Sequence, residues 1–280
     1  MLLISVLAGL IGSLIGIGGG ILVVPILTLL FGVPIPFAIG ASIVSVIATS
    51  SGSAAAFIKD EITNLRIGMF LEIATAPGAI VGALTALLLF RSNMQWIMYL
   101  SFGLVLIFSS YSLYKKGKNE NSITSAEVAT KRSAFAERLK LGGKYYDASL
   151  NQHISYEATR VHAGLMTMLA AGFVSGLLGI GAGVMKVLSM DMMMRLPFKV
   201  STTTSNFMIG VTAVAGTSVF YIGGFINPIL VGPVAVGVVL GSFIGAKILI
   251  RSKPSSLRLL FMIILVILGL QMIRRGLLFV

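Results

Sequence analysis

Long apolar blocks dominate this chain and leave it few folds to choose from. Residues 35–57, 67–90, 94–114, 200–222, 228–250 and 257–273 form six of them. Each is close to the roughly 20 residues that an α-helix needs to cross the hydrocarbon of a bilayer. Segments of alternating hydrophobicity, which mark a membrane β-barrel, are absent from the sequence. Helices satisfy their own backbone groups in lipid, so the pattern predicts an all-α integral membrane protein. Composition excludes the soluble alternative. Of 280 residues, 56% are hydrophobic and 11% are charged, whereas soluble domains carry roughly 25% charged residues.

The sequence also matches itself. A shift of 163 positions lays Gly9 on Gly172, Gly16-Ile17-Gly18 on Gly179-Ile180-Gly181, and Gly20 on Gly183. It lays Pro34 on Pro197, Ser42 on Ser205, Thr49 on Thr212, Asn64 on Asn227, and Gly78 and Gly82 on Gly241 and Gly245. So many glycines and polar residues in register define two units, residues 1–114 and 162–280. The pattern around Gly9 and Gly20 recurs late in the chain, so the N-terminal segment reads as structure rather than as a cleaved leader.

Residues 115–161 between the units are too polar for lipid and read as a solvated linker, with local order hinted at by Tyr145-Tyr146-Asp147 and Ile154-Ser155-Tyr156. The net charge is +12, and nine of the 21 Lys and Arg lie in this stretch. Most of the others sit at the ends of apolar blocks, where basic residues set topology. The charge therefore implies no nucleic-acid partner, and it places the 115–161 segment in the cytoplasm.

Each unit opens with an interrupted element. Residues 2–15 are apolar, 16–20 are Gly-Ile-Gly-Gly-Gly, and 21–31 are apolar again; residues 164–178, 179–183 and 184–194 repeat the scheme. Glycine costs about 1 kcal/mol relative to Ala in a helix interior, so both runs predict a helix break at membrane depth. If each broken element turns back to its own side, Arg195, Lys199, Lys247, Arg251, Lys253 and Arg258 join the cytoplasmic face. A single crossing would put Arg195, Lys199, Arg251 and Lys253 outside. The positive-inside rule thus favours the return. Five elements per unit then give two inverted-topology repeats with both chain ends outside, a transporter architecture whose solute site lies at the breaks.

Catalytic chemistry finds little support. There is no Cys, the two His lie in or beside the polar segment, and the apolar blocks hold only Glu72 and Asp191 as acids. Nucleophile–base pairs and metal-ligand spacings are missing from the sequence, and the glycine runs lack the Gly-Lys-Ser/Thr ending of a phosphate loop. No cofactor is expected. Solute-binding candidates are better represented. They are Gly16, Gly18, Gly19 and Gly20 with Gly179, Gly181 and Gly183 at the breaks, Ser42, Ser45 and Thr49 on one helical face, and Thr202, Ser205 and Asn206 in the polar run Ser201-Thr202-Thr203-Thr204-Ser205-Asn206. Hydroxyl and amide donors suit an oxyanion. Lys186 follows the second break and adds positive charge, with Asp191, five residues on, as its candidate partner or as a coupling group. Gly78, Gly82 and Ala86, like Gly237, Gly241 and Gly245, are spaced by four and read as helix-packing faces. Two other readings stay open: a carrier for a cation or neutral solute using Asp191 and Glu72, and a membrane-embedded enzyme.

Three stretches resemble the sulfite exporter TauE/SafE family: the Gly-Ile-Gly-Gly-Gly run with Pro25, the Gly-Ile-Gly-Ala-Gly-Val-Met-Lys-Val run at 179–187, and Thr204-Ser205-Asn206-Phe207-Met208-Ile209-Gly210. Leu141-Gly142-Gly143-Lys144-Tyr145-Tyr146-Asp147 is similar to its members too. The resemblance implies a multi-pass cell-membrane transporter, working without ATP hydrolysis, for a small sulfur-containing anion such as sulfite, a sulfonate or thiosulfate. The implied partners are that anion and the lipid bilayer. Ala182 stands where the family usually has glycine, Leu188 where it usually has proline, and Asp191 is a further departure.

Overall fold

The structure is a computed structural model, and it describes residues 1–15, 19–59, 62–119, 134–147, 152–251 and 255–278. The first unit consists of α1 (Leu2–Ile15), the short α2 (Gly20–Pro25) continued by a π turn (Ile26–Leu30), α3 (Ile35–Lys59), α4 (Leu65–Arg91) and α5 (Gln95–Asn119). A short α6 (Ala134–Arg138) and a hairpin of β1 (Gly142–Asp147) and β2 (Gln152–Glu157) follow. Then come α7 (Val161–Leu178), α8 (Gly183–Leu188) with a π turn (Ser189–Met193), α9 (Phe198–Ile222), α10 (Pro228–Arg251) and α11 (Ser255–Leu277). The register of the sequence repeat is reproduced in the elements. Gly20 to Gly183 is a shift of 163, and the same shift carries the first π turn onto the second and α3 onto α9. Among the described residues, five helices are long and apolar enough to cross a membrane. One is α7, which at 18 residues is longer than its counterpart α1 at 14.

The two units interleave. α1 packs along α10 and α7 along α4; α3 lies on α10 and α9 on α4; α3 meets α9, and α5 meets α11. Swapping the units leaves this list unchanged. The units are therefore sequence repeats sharing one core rather than separate globular bodies. Glycine permits the closest contacts. A Cβ at Gly176 would overlap the carbonyl oxygen of Ala79 on α4, and one at Gly241 would overlap that of Val6 on α1. Gly78 and Gly82 face Leu169 and Phe173 in the same way. The spaced glycines thus act as packing faces, as van der Waals association of helices in lipid requires.

Matching asparagines of the two units hold the starts of α4 and α10. Asn64 caps α4, its Oδ1 accepting from Ile67 N at 3.0 Å, and Asn227 Oδ1 accepts from Ile229 N at 3.0 Å at the start of α10. Asn64 also reaches the hairpin, its Nδ2 donating to Tyr156 Oη at 3.0 Å and to Gly142 O at 3.3 Å. Tyr145 and Tyr156 are buried in a cluster with Ile67, Leu71, Val161, Met194 and Met208. Burial pushes the Tyr156 phenol above its usual range, partly opposed by the bond from Asn64. The solvated-linker reading therefore fails for the described hairpin residues, 142–147 and 152–157. The tyrosines carry enough apolar area to dock the hairpin on the bundle, although their neighbours in sequence are polar.

Candidate solute site at the helix breaks

Both broken elements come back beside their own starts. Met1, Ile4 and Ser5 of the first line one small cleft with Ile26, Leu27 and Phe31. In the second, Thr159 N donates to Met194 O at 3.0 Å, joining the residues that flank the element. The backbone turns at the break through left-handed residues, Gly179 at φ +64° and Gly181 at φ +74°, followed by Ala182 at φ +45° as the N-cap of α8. The π turns occur in both copies, after Pro25 in one and Leu188 in the other. Proline is thus not their cause, and the departure at Leu188 leaves the backbone path unchanged.

The breaks meet each other through α3. Ser42 Oγ lies 3.0 Å from Gly20 O and 2.8 Å from Gly179 O, so its one proton is shared between carbonyls of both breaks. Its repeat counterpart Ser205 donates to Gly183 O at 3.2 Å. Gly20 has no room for a Cβ beside Val46 and Ser42, and a Cβ at Gly181 would press on Ile209 and Val46. Ser45 and Thr49 donate back along α3, to Ser42 O at 2.7 Å and Ser45 O at 2.8 Å. Their hydroxyl protons are used locally, as is common for hydroxyls inside helices. Gly19 lies against Thr49. Gly16 and Gly18 lie outside the described residues.

Two polar groups on α9 lack partners. Asn206 is 1% exposed and Thr202 is 4% exposed, and neither Asn206 Nδ2 nor Thr202 Oγ1 has a hydrogen bond. Four residues apart, they share a helix face. A buried donor without an acceptor costs about 1–3 kcal/mol, so these two atoms hold unspent hydrogen-bonding capacity in the interior. The neighbouring hydroxyls are engaged: Thr204 Oγ1 accepts from Asn64 N at 3.1 Å, and Ser50 Oγ donates to Asn206 O at 2.6 Å.

Lys186 is fully buried, and its partner is Glu72. The ammonium lies 3.5 Å from Glu72 Oε1, 3.2 Å from Met208 O, and in contact with Thr212 Oγ1. Thr212 Oγ1 in turn lies 2.7 and 2.9 Å from the two Glu72 carboxylate oxygens and 2.9 Å from Met208 O. The expectation that Asp191 neutralises Lys186 is replaced by this pair. Asp191 sits partly exposed in the second π turn. Sequence reasoning had Glu72 only as a coupling group of the cation reading, and Thr212 only as the repeat mate of Thr49. Among the described residues, no three His, Asp or Glu side chains come together to hold a metal ion.

Apolar helices around two breaks whose polar atoms converge in the interior define a multi-pass membrane protein of the transporter class. The chain belongs to the sulfite exporter TauE/SafE family of membrane transporters, which it matches over residues 1–272. It is 31% identical over 283 residues to the probable membrane transporter protein YunE of Bacillus subtilis (strain 168), covering 99% of this chain and 97% of that one. It is 27% identical to the probable membrane transporter protein YdhB of the same organism, over 88% of each chain. A third probable membrane transporter protein, from Methanocaldococcus jannaschii, is 26% identical over 98% of this chain and 94% of its own length. No solved structure matches the chain.

Proposed function

We propose that the protein is a secondary transporter or facilitator for a small sulfur-containing oxyanion, of the sulfite, sulfonate or thiosulfate class. The observation that carries this reading is the pair of unpartnered donors, Asn206 Nδ2 and Thr202 Oγ1, buried on α9, the helix whose Ser205 bonds the Gly183 carbonyl at the second break. An anion leaving water loses hydration that fixed donors must replace, and these two are free to do so. The family description points to sulfite as one member of the class. Of the two carboxylates that a cation carrier could use, Glu72 is paired with Lys186 and Thr212 rather than open to a solute cation.

The same proposal places the two units in opposite orientation across the membrane, with the hairpin cytoplasmic. Residues 1–114 and 162–280 are then the inverted repeats, and each crosses with an odd number of elements because its broken element returns. The test of the solute is uptake of labelled sulfite, thiosulfate and an alkanesulfonate into proteoliposomes. Asn206→Leu and Thr202→Val should each lower uptake tenfold or more while the protein still inserts and folds. Wild-type uptake by both variants would remove these donors from the site.

A further inference from the structure

The Lys186 ammonium has three N–H donors and three acceptors: Glu72 Oε1, Met208 O and Thr212 Oγ1. As it stands the site is electrically balanced and has no donor to spare. An anion entering this interior would leave a net negative charge in a low dielectric, where an uncompensated ion is strongly disfavoured. One change solves both problems. A proton added to the Glu72 carboxylate makes it a neutral acid, ends the ion pair, and leaves Lys186 as the counter-charge for the incoming anion.

The repeat indicates that the pair is more than packing. Shifting by 163 lays Lys186 on Val23, Glu72 on Ala235 and Thr212 on Thr49. The other half of the molecule thus builds the same corner, helix ends and hydroxyl included, with two apolar side chains. The charges are an addition to one half only. Other charged or titratable side chains on the elements around Glu72 are Arg66 and Arg91 on α4, His162 on α7, Lys199 and Tyr221 on α9, Tyr99 and Tyr111 on α5, and Asp191 beyond α8. Lys115, Lys116, Lys118 and Tyr114 lie towards the far end of α5.

We infer that Glu72 is the proton-coupling group of the transport cycle. The proton binds a Glu72 carboxylate oxygen, and Lys186 exchanges that carboxylate for the transported anion. On the far side the anion leaves, the proton leaves, and the Lys186–Glu72 pair re-forms. One proton accompanies one monovalent anion, so that step moves no net charge. This rests on the anion reading given above.

The experiment uses reconstituted full-length protein with a pH dye in the vesicle lumen. The probe is methanesulfonate, a monovalent anion whose ionisation does not change between neutral and mildly acidic pH. The wild type should take up probe faster as external pH falls, by up to about tenfold per pH unit, and should acidify the lumen in step with uptake. Glu72→Gln mimics the protonated state. It should carry probe at a rate independent of pH, without acidifying the lumen. Should that variant not fold, Glu72→Gln/Lys186→Gln removes both charges and should move probe weakly and without protons. Proton movement that persists in either variant overturns the inference, as does a wild type that carries probe with no proton. Chloride and nitrate serve as a second probe set. If only these follow the wild-type and variant pattern, the sulfur-anion reading fails and the role of Glu72 stands. If the wild type carries no anion of either set, both fall.

Discussion

Ala182 carries a Cβ through a left-handed turn, at φ +45° and ψ +35°, where the two glycines before it at 179 and 181 carry none. The conformation costs a residue with a Cβ roughly 1–2 kcal/mol. Glycine there would remove the clash but would loosen the unfolded chain by roughly 0.5–1 kcal/mol. Ala182→Gly should therefore leave stability unchanged or raise it by up to about 1 kcal/mol. Ala182→Val, branched at Cβ, should lower it by about 2 kcal/mol or more. Thermal unfolding of the purified protein in detergent orders the three, and a valine variant as stable as the glycine one would contradict the strain. The departure itself was visible in the sequence. The partner of Lys186 was not. Spacing within one helix offers Asp191, five residues on, whereas Glu72 lies 114 residues earlier on a helix of the other repeat. A single sequence carries no signal for such a pairing beyond the rarity of acids in apolar blocks.

Contact between helices is governed by glycine rather than by large side chains. Gly176 on α7 lies over Ala79 on α4, and Gly241 on α10 lies over Val6 on α1, one in each of the two corresponding helix pairs. Overpacking a core side chain costs roughly 1–3 kcal/mol, and here the obstacle is backbone, which cannot swing aside. Gly176→Ala and Gly241→Ala should each lose at least that much, seen as a lower unfolding midpoint and less protein recovered from the membrane. Gly232 on α10 faces open space. Gly232→Ala should stay within about 1 kcal/mol of wild type, and an equal loss at all three positions would mean that close approach is not what the glycines supply. These packing faces, the breaks and the doubled order of elements were legible because glycine and apolar spacing are local signals. The docked hairpin was not. Tyr145 and Tyr156 sit among polar neighbours in the chain, and their burial depends on α4, α7 and α9 arriving at the same place.

Across the whole molecule, the exchange of partners between the units constrains orientation. The second broken element ends beside Thr159, and Asn64 at the start of α4 bonds Tyr156 of the hairpin. The start of α4, the hairpin and the residues around Arg195 therefore lie at one end of the bundle. Arg275 at the end of α11 donates to Thr28 O at the end of the first half-helix. The long helix α3 runs between that group and the start of α4, which sends the group to the opposite end. The link between α9 and α10, at residues 223–227, follows it: Phe225 O lies against Gly40 near the start of α3. In the orientation proposed above, the basic residues put the hairpin end in the cytoplasm. The chain has no cysteine, so single thiols report position without background. Cysteines replacing Lys144 in β1 and Arg195 after the second half-helix, both exposed, should react with an impermeant thiol reagent only after the membrane is opened. A cysteine replacing Ile222, 85% exposed at the end of α9, should react in intact cells. Reaction of all three from one side would mean that α9 does not cross, and the opposed orientation of the two units would be lost with it.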